Sequence, residues 1–145
     1  MTIRVLIVDD SAIVRRILKR VLSEAPGIEV VGAASDPYEA REMIVALKPD
    51  VLTLDVQMPR MDGITFLTKL MEHHPIPTII VSNVTPANSD ACLAAFAAGA
   101  FDVVPKPDGA DQLASLRDLL PAKIRGTFRA HVHSIPPGPD RKSVV

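Results

Sequence analysis

The chain has 145 residues, 48% of them hydrophobic, enough for one packed domain that buries roughly 70% of its unfolded surface and too few for a second. Its 16 basic and 17 acidic residues leave a formal net charge of -1, so no bulk field draws it to nucleic acid or an anionic membrane. Trp is absent and aromatic residues make up 3%, which argues against nucleic-acid binders that stack bases on aromatic platforms; the single Cys92 excludes an intramolecular disulfide framework and fits a reducing compartment, so the expected location is cytoplasmic.

Short apolar runs alternate with amphipathic stretches as far as about residue 120, the rhythm of a parallel sheet covered by helices. Val5–Val8 is the first strand. Two aspartates follow it at once, so this run is neither a secretory segment nor a membrane span of about 20 residues, and no later run is long enough for one. The first helix is expected from Ala12 to Ala25, with Ile13, Val14, Ile17, Leu18, Val21 and Leu22 inward and Arg15, Arg16, Lys19 and Arg20 mostly toward water; Pro26-Gly27 stops it. The second strand is Glu29–Ala34. Asp36 then reads as an N-cap, Pro37 as the first helical position and Glu39 as the partner in an acidic capping box, for a helix that runs to Leu47.

The third strand, Val51–Leu54, ends at Asp55, and Ile64, Leu67, Leu70 and Met71 mark the apolar face of the third helix, with Asp62-Gly63 as the turn that starts it. Thr78–Val81 is the fourth strand. The fourth helix spans about Ser89–Ala98 and stops at Gly99, Phe101–Val104 is the fifth strand, and Ala110–Leu120 the fifth helix, with Leu113, Leu116, Leu119 and Leu120. Pro121 could open one more turn, which Gly126 weakens. From His133 the stretch "HSIPPGPDRKSVV" has no apolar period and reads as linker or disordered tail, so residues 1–120 are expected to be the folded domain and 121–145 a linker or tail.

In a doubly wound sheet, ligands sit beyond the carboxyl ends of the strands at the switch point where strand order reverses. Strand one ends in Asp9-Asp10, strand three in Asp55, strand four in Ser82 and strand five in Lys106. With the flavodoxin-like order 2-1-3-4-5, helices on both faces, strands one and three become neighbours and their acids converge. That order is taken over from the class, not read from residues. Carboxylates so placed repel by about 4 kcal/mol per pair at 4 Å and an effective dielectric near 20, so the cluster needs a cation, and partly hydrated oxygen ligands suit Mg²⁺. Lys106 adds a positive point charge and Ser82 a hydroxyl. Together they make a phosphoryl-transfer pocket in which Asp55 is the best nucleophile, because a carboxylate can take a phosphoryl group as an acyl phosphate. Each feature alone has a bland reading as a cap or turn; four of them at neighbouring strand ends favour the site.

The stretches "VLIVDDSA", "LTLDVQMPRMDG", "IIVS" and "VVPKP" resemble the receiver domain of two-component response regulators over about residues 3–120. The resemblance implies phosphorylation of Asp55 by a histidine kinase, Mg²⁺ held directly by Asp10, Asp55 and the backbone carbonyl of Gln57, and Asp9 acting largely through water. It also implies contacts from Ser82 and Lys106 to the phosphoryl group and a cis Lys106–Pro107 bond. "SDPYEAREMI", "PDVLTLDVQMPRMDGITFLTKLM", "VSNVT" and "AAGAFDVVPKP" followed by Asp108 are similar to the regulatory domain of chemotaxis protein-glutamate methylesterases, whose catalytic domain demethylates and deamidates chemoreceptors, and "PAKIRGTFRA" resembles that family's interdomain linker. A catalytic domain would need roughly two hundred further residues, so the chain is expected to be a fragment or truncated form, with chemoreceptors and the methylesterase domain as partners of the full-length protein only. No esterase residues carry over, and the chain's own status as an enzyme stays open.

One departure is Val103, where receivers often place a Tyr or Phe that rotates on phosphorylation; valine cannot swing in that way. His73 and His74 point in different directions on a helix and fit a solvated C-terminus. His131 and His133 fall in the weakly patterned tail and carry little metal signal, and Cys92 fits the packed face of the fourth helix. The competing functions are a phosphatase, which would need a second acid where Gln57 stands, and a free-standing receiver acting by docking or as a phosphate sink.

Overall fold

Runs apolar at every position suit strands buried on both faces. The computed structural model, which describes residues 2–56, 62–83, 89–107 and 110–134, sets such runs at the centre of a parallel sheet. The elements are β1 (Ile3–Val8), α1 (Ala12–Ser23), β2 (Ile28–Ala34), α2 (Pro37–Leu47), β3 (Val51–Leu54), α3 (Gly63–His73), β4 (Thr78–Ser82), α4 (Ser89–Ala98), β5 (Asp102–Pro105) and α5 (Ala110–Ser134). The strand order is β2-β1-β3-β4-β5, the expected one, with Val5 opposite Val51 and Val8 opposite Leu54 across the central pair.

Because side chains alternate along a strand, β1 feeds two cores. Val5 and Ile7 join Leu18 and Leu22 of α1 and Leu116, Leu120 and Ile124 of α5. Leu6 and Val8 join Ile44 of α2, Leu67 and Leu70 of α3 and Ala95 of α4. Gly99 has φ 120°, the left-handed backbone expected of a residue that closes α4. Asp36 accepts a 2.9 Å bond from Glu39 N, while Glu39 reaches back to Ser35 N at 2.7 Å. Asp36 is thus the N-cap, as expected, and only the return bond of the capping box lands one residue early, on Ser35 N.

The structure departs from the sequence reading in several elements. Ile13 is 68% exposed, not inward: at 100° per residue it lies on the side of α1 opposite Leu18 and Leu22. β5 is displaced by one residue and includes Pro105, opposite Ser82; an edge strand tolerates a missing donor. α5 runs 25 residues with Pro121 inside it, well past the expected end at Leu120. Beyond Pro121 the helix is tied down by the fully buried Ile124, by Lys123 Nζ 2.6 Å from Asp102 Oδ2 and by Arg125 donating to the Pro26 carbonyl at 2.7 Å. Those contacts outweigh the local preference of Pro and Gly to end a helix. Among the described residues no helix is long and apolar enough to cross a membrane. Gln57, Met58, Pro59 and Asp108, and the side chains of Cys92 and His133, lie outside the described residues.

Candidate functional site

The backbone ladder continues one residue past the central strands: Asp9 N donates to Ala34 O and Asp55 N to Val8 O, each at 3.0 Å. Both carboxylates therefore leave the same edge of the sheet. Asp9 is 1% and Asp55 2% exposed, Asp10 is exposed, and one carboxylate oxygen from each of the three lies within 4.8 Å of the others. Among the described residues this is the only such group of three metal-capable side chains.

Lys106 closes the cluster from the far side of the sheet. Its backbone N donates to Ser82 O at 3.1 Å, which carries the end of β5 beside the end of β4. Its Nζ then donates to Asp55 Oδ2 at 2.8 Å and lies 3.3 Å from Asp9 Oδ2, the latter an ion pair without hydrogen-bond alignment. The Lys106–Pro107 bond is trans, as are all peptide bonds among the described residues, which corrects the expected cis bond: the trans form is the intrinsically favoured one for X–Pro, and Lys106 reaches both acids with it. Ser82 is 1% exposed and its Oγ, like Asp9 Oδ2, has no hydrogen bond among the described residues.

Burial pushes the Asp9 carboxyl up to about 6 from an ordinary 3.8, and the nearby Asp55 adds to the rise; the Ser11 N–H, donating to Asp9 Oδ1 at 2.8 Å, opposes it without cancelling it. Burial works against the Lys106 charge, but the hydrogen bond to Asp55 and the attraction of both acids outweigh it, so its pKa is raised. The pocket thus holds a fixed ammonium beside acids that are costly to ionise together. Hard oxygen donors, one of them buried and without a hydrogen bond, fit a divalent cation, and the Ser82 hydroxyl and Lys106 ammonium fit an anionic group set beside Asp55.

At the start of α3, Gly63 lies directly against Val56. A Cβ there would stand 2.5 Å from Val56 Cα, so only glycine lets the helix approach the strand end; Gly63 N donates to Val56 O at 3.1 Å. Asp62 caps α3 through a 3.1 Å bond from Ile64 N, the structural role expected of it. Val103 is half-buried and packs against the core under α2, α3 and α4. His73 and His74 are exposed and line a 340 Å³ groove between α2 and α3 that shares no residue with the acidic site.

Sequence reasoning missed Arg15. Placed there among solvated residues, it instead donates from Nη1 to the backbone carbonyl of Asp9 at 2.8 Å. The available signal was its place in the first turn of α1, since a long helical side chain covers the surface N-terminal to its own Cα.

The sequence model of the response regulator receiver domain matches residues 5–117. The chain is 53% identical over 130 residues to protein-glutamate methylesterase/protein-glutamine glutaminase 2 of Syntrophus aciditrophicus, covering 90% of this chain and 38% of that protein. To the corresponding protein 4 of Anaeromyxobacter dehalogenans it is 51% identical over 142 residues, covering 96% and 40%. It therefore spans less than half the length of these curated relatives. Its structure is similar to that of the response regulator domain of Thermotoga maritima CheB, with a TM-score of 0.80 and 38% identity over 89% of this chain and 98% of that one.

Proposed function

The chain belongs to the family of response regulator receiver domains, and we propose that it is the phosphorylation-controlled switch of a chemotaxis response regulator, with Asp55 as phosphoacceptor and a histidine kinase as donor. The observation that carries this reading is a buried Asp55 whose Oδ2 meets Lys106 Nζ at 2.8 Å, with carboxylate oxygens of Asp9 and Asp10 within 4.8 Å. In the transfer, an Asp55 carboxylate oxygen bonds to phosphorus as the phosphorus–nitrogen bond to the kinase histidine breaks, and that nitrogen takes a proton from solvent. Asp55 gives up its carboxylate charge on becoming an acyl phosphate. Lys106 Nζ then pairs with a phosphoryl oxygen, and the Ser82 hydroxyl, free of other bonds among the described residues, donates to another. Asp10, Asp55 and the Gln57 carbonyl would hold Mg²⁺ directly and Asp9 through water; when bound, the ion supplies charge neutralisation of the phosphoryl oxygens.

We further propose that the receiver controls a methylesterase and glutaminase domain like that named in its relatives, with chemoreceptors as the substrates of that domain, in the cytoplasm. On this reading the esterase activity named in those relatives belongs to the part that this chain does not span. Residues 1–120 would form the receiver and 121–145 the connection to that domain, the first part of the connection being the end of α5.

Incubation with Mg²⁺ and acetyl phosphate, followed by intact-mass measurement, tests the phosphoacceptor. One added phosphoryl group is expected in the wild type, and none in Asp55→Asn or with excess chelator. Equal labelling of Asp55→Asn, or no labelling of the wild type, refutes the reading.

A further inference from the structure

Asp10 differs from the other two acids of the cluster: it is exposed, and its carboxylate makes no hydrogen bond to any described residue. Among the described residues, only the backbone aims it at Asp55. That backbone is fixed on the Asp9 side by three bonds. Asp9 N donates to Ala34 O at 3.0 Å, Asp9 Oδ1 accepts from Ser11 N at 2.8 Å, and Asp9 O accepts from Arg15 Nη1 at 2.8 Å. The first holds Asp9 itself, and the second ties its carboxylate across Asp10 to the Asp10–Ser11 peptide. The third acts on the carbonyl of the peptide plane that joins Asp9 to Asp10, and so sets the direction in which the Asp10 side chain leaves the chain. Arg15 is also the half-buried member of a basic run whose neighbours Arg16, Lys19 and Arg20 are exposed.

We infer that Arg15 is a positioning residue of the cation site, holding the Asp9–Asp10 peptide so that the Asp10 carboxylate faces Asp55. This rests on the proposed reading of Asp9, Asp10 and Asp55 as a Mg²⁺ site. Two effects of Arg15 on a bound cation have opposite sign. Its positive charge repels the cation, so charge alone predicts tighter binding when Arg15 is removed. Its hydrogen bond orders a ligand, so positioning predicts weaker binding, with losses of about 10-fold or more where such supporting groups are removed from metal sites.

The test measures Mn²⁺ binding to the full chain by electron paramagnetic resonance, with Mg²⁺ as competitor, alongside thermal melts. Wild type is expected to bind one Mn²⁺ that Mg²⁺ displaces. Arg15→Ala is expected to bind it about tenfold more weakly, Arg15→Lys to recover part of the loss, and Arg16→Ala, which removes the same charge one residue away, to bind as tightly as wild type or more so. Equal or tighter binding by Arg15→Ala overturns the inference, as does an equal weakening in Arg16→Ala. If Arg15→Ala loses its cooperative melt, Arg15→Lys decides alone: it must bind more weakly than wild type while melting normally. A wild type that binds no Mn²⁺ refutes the cation-site reading itself, an outcome distinct from failure of Arg15 to matter.

Discussion

Replacing Asp9 by Asn should stabilise the fold while weakening the site. The folded state raises the Asp9 pKa from 3.8 to about 6, so it binds that proton more tightly than the unfolded chain does. Below about pH 4 the group is protonated in both states and costs nothing. Between about pH 4 and 6 the unfolded chain ionises first and stability falls; above the folded pKa the loss is complete. At roughly 1.4 kcal/mol per pH unit the gap is worth about 3 kcal/mol. Asparagine carries no charge to bury, but it does not recover all of this. Its carbonyl must keep the 2.8 Å bond from Ser11 N, which leaves its NH₂ in place of the oxygen 3.3 Å from Lys106 Nζ, donor facing donor. The net gain should be about 1–2 kcal/mol at pH 8, or roughly 3–8 °C in Tm. Urea unfolding of both proteins in chelator, from pH 4 to pH 8, reads the difference directly. It should be near or below zero at pH 4 and rise to a plateau by pH 7. A variant less stable than wild type at pH 8, or a gain independent of pH, would refute the reasoning.

Lys106→Met leaves Asp9 and Asp55 buried together without their counter-charge and should cost about 3 kcal/mol at pH 8 without divalent ions. The loss should shrink near pH 5, where Asp9 takes up a proton; equal losses at both pH values in urea unfolding would contradict the ion-pair assignment. Gly63→Ala would set a Cβ 2.5 Å from Val56 Cα and should cost about 2 kcal/mol or more, so an unchanged Tm would show that α3 retreats freely. Ile124→Ala removes a fully buried side chain beyond Pro121 and should cost about 2–4 kcal/mol; an effect below about 0.5 kcal/mol would mean that this part of α5 does not belong to the core. Lys123→Ala, whose partner Asp102 is itself 33% exposed, should cost under about 1 kcal/mol by the same measurement.

The sheet was legible because its strands are covered on both sides. Val51–Leu54 and Thr78–Val81 are apolar or β-branched at every position, and the strands found there agree to within one residue. The start of α2 was equally plain, since Asp36, Pro37 and Glu39 each carry a local signal that the structure uses. α5 was misjudged where local and tertiary signals conflict. Pro121 and Gly126 speak against a helix, yet Leu116, Leu120, Ile124 and Thr127 keep its spacing and all are buried. That Asp9, Asp10, Asp55 and Lys106 meet was likewise legible from their places at strand ends. How they are held was not: the aim of Arg15 and the burial of Asp9 depend on three strand ends meeting, which no window of sequence contains.

Burial of Asp9 helps to build the site and weakens the fold, and the two facts have one cause. Asp9, Asp55 and Ser82 stand at the ends of strands whose preceding residues form the core, so they are buried by the packing that makes the sheet. Lys106 offsets part of that cost but cannot neutralise two acids at once. A cation placed among the carboxylates therefore supplies what the chain alone lacks, and its binding free energy adds to the stability of the fold. The ties from this pocket toward α5 are made by packing, backbone and charge: Val81 and Val104 share a buried core with Leu116, Leu120 and Ile124. Ser82 O accepts from Lys106 N at 3.1 Å, Ser82 pairs with Pro105, and Asp102 at the other end of β5 holds Lys123 of α5. Val103 is half-buried against the other core, so a change at Ser82 or Lys106 reaches α5 through the packing of Val81 and Val104 on Leu116, Leu120 and Ile124 and through the Asp102–Lys123 pair, with no rotating ring between them.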